Sequence, residues 1–142
     1  MAANSRLTIA THVLAWLALA HRRGQDVLTS EQVAASVNSN AVVIRRSLGD
    51  LRRAGLVEVR HGAGAGWSLA RAPEEITLLE VHDAVDAQPP FALHHTEPNL
   101  ECPVGRGIRP ALSGVYGRVE QAMRRELAGA TIADVLRDTL TS

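Results

Sequence analysis

The 142-residue sequence contains no lysine, a single cysteine (Cys102) and four aromatic side chains, Trp16, Trp67, Phe91 and Tyr116. One thiol excludes an internal disulfide framework and a structural zinc site built from several thiolates of one chain. It also fits a reducing compartment. The longest clean apolar run, residues 13–20, is eight long, far short of the ~20 residues that cross a bilayer. With Arg6 before it and the triplet Ala18-Leu19-Ala20 at its end, this run loosely resembles a signal peptide. Against that, Thr8, Thr11 and His12 interrupt the stretch, Arg22 and Arg23 follow it at once, and its apolar spacing is that of an amphipathic helix. A cytoplasmic protein without a membrane partner is expected. No nucleophile elbow, no zinc motif on a helix and no carboxylate pair beyond the cap-like Glu74 and Glu75 stands out, so neither catalysis nor a cofactor is expected.

With lysine absent, all 15 basic residues are Arg, and they balance 15 acids to a formal charge of zero. Taken as a total, zero argues against a polyanionic partner. By position it does not: residues 1–71 hold nine Arg against Asp26, Glu31, Asp50 and Glu58, a balance of +5, and residues 72–142 hold six Arg against eleven acids, a balance of −5. One half is built to meet negative charge and the other is not.

The apolar period predicts mainly helix. Leu7, Ala10, Val13, Leu14, Leu17 and Ala20 mark one face of a helix over 5–21, stopped by Gly24. Thr29 with Gln32 forms a capping box for a short helix carrying Val33, Ala34 and Val37. After the polar turn Asn38-Ser39-Asn40, the residues Ile44, Leu48 and Leu51 mark a third helix over 41–54 that ends near Gly55. The period then drops to two in 56–60 and 67–69, with His61-Gly62-Ala63-Gly64-Ala65-Gly66 between them as a hairpin tip. Pro73 closes a first domain, 1–73. In the second, 74–142, Thr77 and Glu80 cap a helix over 77–87, and a proline-rich loop fills 88–102. A long helix follows over about 103–128 with the stripe Leu112, Val115, Val119, Met123, Leu127, then a short capped helix over 131–140. No internal repeat or low-complexity tract is present.

This order is that of a winged helix-turn-helix, whose third helix enters the DNA major groove. At about 100° per residue, Leu48 and Leu51 fall within about 40° of Ile44, while Val42, Arg46, Gly49 and Arg53 lie about 140° to 200° away and Arg45 lies on the flank. Small residues and guanidinium groups therefore share the outward face, a combination suited to base edges. The plainer reading of Arg45, Arg46, Arg52 and Arg53 is a solvated face. The excess of four Arg over Asp50 alone, with Arg60 and His61 adjoining, favours DNA. The glycine run reads as a wing tip, or as a plain hairpin turn without a partner, ahead of a phosphate-binding loop, because such a loop opens a helix and Trp67-Ser68-Leu69-Ala70 reads as strand.

The segments Leu51-Arg52-Arg53-Ala54-Gly55-Leu56-Val57, Arg60-His61-Gly62-Ala63-Gly64-Ala65-Gly66-Trp67-Ser68-Leu69-Ala70 and Pro73-Glu74-Glu75-Ile76-Thr77-Leu78-Leu79-Glu80-Val81 resemble the Rrf-two family of bacterial winged-helix transcriptional regulators. The resemblance runs over nearly the whole chain. It implies a homodimer held by the long helix through Leu112, Val115, Val119, Met123 and Leu127, and a palindromic operator in double-stranded DNA. It further implies base contacts from the positions of Val42, Arg45 and Arg46, and a wing that enters the minor groove. The candidate DNA-binding set is Asn40, Val42, Arg45, Arg46, Arg53, Arg60, His61, Gly62 and Gly64.

Two departures stand out. His61 occupies a wing position where the family often has Arg, so the minor-groove contact is expected either to be weaker or to depend on pH. The best-known members hold an iron-sulfur cluster on three cysteines in the loop before the long helix, where this chain has Cys102 alone. The string Cys102-Pro103-Val104-Gly105 is similar to the branch lacking that triad. If Pro103 opens the long helix, the helix dipole favours the Cys102 thiolate, making it a sensor of oxidants or electrophiles. Otherwise it is a small side chain packing the loop. A metal reading would join His94, His95 and Cys102, with Glu97, across a dimer, though their spacing is no standard signature. His12, His21 and His82 read as structural or solvated. The expected function is a homodimeric, sequence-specific repressor answering a redox or small-molecule effector. The alternatives are a winged-helix protein-interaction module without a DNA role, and a metal-responsive regulator using His94, His95 and Cys102.

Overall fold

A computed structural model describes residues 4–141. The element order is α1 (Arg6–Arg22), α2 (Ser30–Val37), α3 (Ala41–Arg53), β1 (Val57–Arg60), β2 (Gly66–Leu69), a 3-10 turn (Pro73–Glu75), α4 (Leu78–Val85), α5 (Pro103–Ala128) and α6 (Ile132–Thr141). The molecule is mainly helical with a two-stranded wing, as expected.

Local chemistry sets most of the boundaries. The Thr29 hydroxyl accepts from the Gln32 amide at 3.2 Å and the Gln32 side chain accepts from the Thr29 amide at 2.9 Å, which completes the capping box of α2. Thr77 and Glu80 repeat the arrangement at α4, as Thr131 and Asp134 do at α6. Asn40 caps α3 by accepting from the Val43 amide at 2.9 Å. Between α2 and α3 the chain reverses through Asn38 at φ 59, a left-handed conformation that Asn tolerates better than most side chains.

Two compact units result, Met1–Ala87 with Leu127–Ser142, and Gln88–Glu126. The core of the first lies around α1. Val13, Leu14 and Leu17 meet Val33, Ile44, Leu48, Leu51, Leu56, Ile76, Val81, Ile132 and Leu136. Each fully buried Leu or Ile contributes about 1.5 to 3 kcal/mol. β1 and β2 pair antiparallel in the register Val57↔Leu69 to Arg60↔Gly66, and Leu28 adds a single bridge to Trp67. The boundary expected at Pro73 falls inside this unit, because α4 and α6 both pack on α1. Their starts are tied together by Leu78 N–H to Ala130 O and Ile132 N–H to Ile76 O, both 2.9 Å.

In the second unit the loop before α5 is fastened to the helix. The Arg109 guanidinium donates to the carbonyls of His94 at 3.1 Å and Thr96 at 3.0 Å, and the Phe91 and Tyr116 ring centroids lie 5.3 Å apart. A Cβ at Gly105 would come within 2.0 Å of the Asn99 carbonyl oxygen, so this close approach requires glycine. α5 runs through Pro110, which has no N–H to give the Arg106 carbonyl. None of its residues is fully buried. In the stripe, Val115 and Val119 are 44% and 39% exposed, and Leu112, Met123 and Leu127 are half-buried.

Candidate nucleic-acid interface

The third helix buries Ile44, Ser47, Leu48 and Leu51 and turns Val42, Arg45, Arg46, Arg52 and Arg53 outward. Val42 is 62% exposed, an apolar side chain held in water at the start of the helix. Its neighbour Asn40 is committed to the cap, which fixes where the helix begins. The arginines are not alike. Arg53 is engaged by Asp50 three residues before it, whereas Arg45 and Arg46 have no ion-pair partner among the described residues. Two guanidinium groups are thus free to pair with phosphate or with the O6 and N7 acceptors of guanine.

The wing continues this basic surface. Arg60 ends β1, and His61, Gly62 and Gly64 form the exposed tip. Gly62 and Gly64 have φ of 78 and 70, and the Ala65 amide donates to the Gly62 carbonyl at 3.1 Å to close the turn. Both positions lie in the left-handed region, where side chains are disfavoured and glycine is not. The result is a narrow tip with no side chain larger than the Ala63 methyl at its bend, flanked by a guanidinium and an imidazole.

Cys102 is exposed and directly precedes α5. Its thiol is held below the ordinary thiol range by the backbone N–H groups of Gly105 and Val104, slightly opposed by desolvation. The condition set for a thiolate-favouring position, Pro103 opening the long helix, is therefore met in the fold. The metal set is not assembled within one chain: no group of three His, Cys, Asp or Glu among the described residues comes close enough to hold an ion. His94 and His95 are exposed, His12 meets the Ser36 hydroxyl at 3.0 Å, and His82 is buried.

Sequence reading overlooked two residues. Ser47 lies about 60° from Ile44 on the helix wheel and is 7% exposed, with its hydroxyl unpartnered; the angle alone was enough to find it. Arg109, the fastener of the loop, carries no local signal, since its acceptors are backbone carbonyls 13 and 15 residues back.

The family model described as "Rrf2: Iron-dependent Transcriptional regulator" matches residues 3–138. YwnA of Bacillus subtilis (strain 168), assigned as an HTH-type transcriptional regulator, is 39% identical over 133 residues, 94% of this chain and 96% of its own. Among solved structures, IscR of T. potens superposes with a TM-score of 0.72 at 19% identity, covering 98% of this chain and 88% of its own. CymR (YrzC), the global cysteine regulator of B. subtilis, does so with a TM-score of 0.71 at 20% identity, covering 96% and 97%. These two likenesses speak for the fold. No described helix is long and apolar enough to cross a membrane.

Proposed function

Because the chain belongs to the Rrf2 family of DNA-binding transcriptional regulators, we propose that it is a homodimeric repressor whose α3 helices read the two halves of a palindromic operator. The observation that carries this reading is the outward face of α3, where Arg45 and Arg46 have no acidic partner among the described residues, opposite a completely buried Ile44, Leu48 and Leu51. The buried side fixes the helix rigidly, and the free guanidinium groups supply both phosphate attraction and bidentate base contacts. Arg60 and His61 extend the contact from the wing, and pairing through the α5 stripe supplies the second reader.

Cys102 is the proposed switch, through oxidation or attack on an electrophile by its thiolate. The three-cysteine cluster of the best-known relatives does not fit this chain. It offers one thiol, and no further His, Cys, Asp or Glu pair stands with it among the described residues. A response to iron through that device is therefore not part of the reading.

The test is fluorescence anisotropy on duplexes from the promoter of its own gene. Affinity for one palindromic site should fall linearly on a log-log plot against salt, as cation release from neutralised phosphates requires. No binding to any duplex at low salt would overturn the reading. Repeating the titration with mild oxidant on the wild type and on Cys102→Ser tests the switch. If both respond alike, the thiol is not the sensor.

A further inference from the structure

Beside α3, within the first unit, lies a hollow of about 770 Å³, inside the range of roughly 300 to 1,000 Å³ typical of small-molecule sites. Its apolar walls come from three helices: Ile9 of α1, Val43 of α3 and Val85 of α4. Ser47 also lines it, more than nine-tenths buried, with a hydroxyl that has no hydrogen-bond partner among the described residues. A buried hydroxyl left unpaired costs stability, and a ligand that accepts a hydrogen bond from it removes that cost. The charges around the hollow are largely settled already. Asp50 is engaged by Arg53, and Arg6 faces Asp86 at 3.7 Å. Arg46, which also lines the hollow, has no ion-pair partner among the described residues.

We propose that this hollow binds a small organic anion, a carboxylate on a compact apolar body with a second polar group at its far end, and that occupation competes with DNA. The carboxylate pairs with Arg46, the body covers Ile9, Val43 and Val85, and the far polar group accepts from Ser47. A DNA phosphate would satisfy Arg46 but has nothing to lay against three aliphatic walls and no reach to the floor. Competition follows from shared residues: Asn40, Val42 and Arg46 all line the hollow and all belong to the face assigned to DNA. This second part rests on that assignment. Linkage then makes the effect reciprocal, operator weakening the anion as much as the anion weakens the operator.

The probe is 4-hydroxybenzoate, with neutral 4-hydroxybenzamide, benzoate and inorganic phosphate as controls. Amide NMR on the free protein should show saturable shifts at Ile9, Val43 and Ser47 with 4-hydroxybenzoate, and at least fivefold weaker binding of each control. Ser47→Ala should weaken 4-hydroxybenzoate at least threefold and leave benzoate unchanged. Ile9→Trp, which fills the hollow, should abolish binding; should it fail to fold, Ser47→Ala carries the test. At saturation the probe should weaken operator affinity at least fivefold in the wild type and not in Ile9→Trp. No shifts at those amides, equal binding of the benzamide or of phosphate, or binding without any loss of DNA affinity would each overturn the proposal. Failure of the protein to bind DNA with no probe present would overturn the DNA assignment instead. The two failures are separable because the NMR titration contains no DNA.

Discussion

Arg46 and Arg53 share the exposed face of α3, yet their surroundings give them different prospects. Arg53 is already paired with Asp50, so a phosphate or base must displace an existing partner. Arg46 has none among the described residues. Arg46→Ala is therefore expected to cost about 1 to 3 kcal/mol of discrimination at one operator position. Competition between single-substituted operators measures this, and a uniform loss on every duplex would mark a phosphate contact. Cys102 has an equally local environment. The backbone N–H groups of Gly105 and Val104, at the start of the helix, favour the anion, so the thiolate forms at lower pH than in an unstructured peptide. The rate of alkylation by iodoacetamide should rise with a midpoint below the ordinary thiol value near 8.5. In denaturant the midpoint should return to that value; identical midpoints in the two conditions would show that the helix terminus does nothing for the thiol.

At the scale of elements, what the sequence discloses and what it hides divide by chain separation. The caps of α2, α4 and α6 join residues three apart, so Thr29 with Gln32 and Thr77 with Glu80 are legible by eye, as are the change of period at the wing and the outward angle of Arg46. The Thr77↔Thr131 bridge that brings α6 to α4 joins residues 54 apart, and no local rule announces it. The hollow is hidden for the same reason, its walls being drawn from Ile9, Val43 and Val85. Pro110 shows a longer pattern outweighing a local rule: proline alone would end a helix there, but the apolar stripe predicts a helix over about 103–128, and α5 does continue, its turns on either side held to the loop by Arg109 and by Tyr116 against Phe91. Another hidden contact is Arg71 with Glu80, nine residues apart, which supports the start of α4. The Arg71 hydrogen bond, helped by the Thr77 amide and opposed by partial burial, pulls the Glu80 carboxyl below its ordinary value. A carboxyl lowered in the folded state stabilises above its unfolded value, about 4.3, and that contribution is lost as pH falls through the folded value. Glu80→Gln keeps an acceptor for the Thr77 amide and loses the ion pair. Wild type should therefore melt above Glu80→Gln at pH 7, and the gap should narrow as the pH is taken down through the folded value of the Glu80 carboxyl. A gap that does not depend on pH would mean the pair adds nothing beyond the cap.

For the molecule as a whole, the zero net charge conceals a working division: the half at +5 carries the α3 and wing arginines, while the half at −5 contains all of α5. On the proposed palindromic operator a single head would touch only half of the site, and its affinity would be limited by the few phosphates it can neutralise. Joining two heads turns the second contact into an intramolecular event, which raises affinity without any new interaction. The proposed joint is the α5 stripe, where Val115 and Val119 are exposed in the lone chain although apolar residues at that spacing gain only when water is excluded from them. The double substitution Val115→Glu and Val119→Glu places carboxylates where pairing would strip them of solvent, at a cost that apolar packing cannot offset. Nothing in the core depends on these two side chains, so circular dichroism should be unchanged. Sedimentation should then show a dimer for the wild type and a monomer for the variant. Affinity for the full palindrome should drop at least tenfold, whereas binding to an isolated half-site should stay as it was. A variant that still sediments as a dimer would move the interface off this stripe. A wild type that is monomeric yet binds the palindrome with full affinity would remove the dimer from the mechanism altogether.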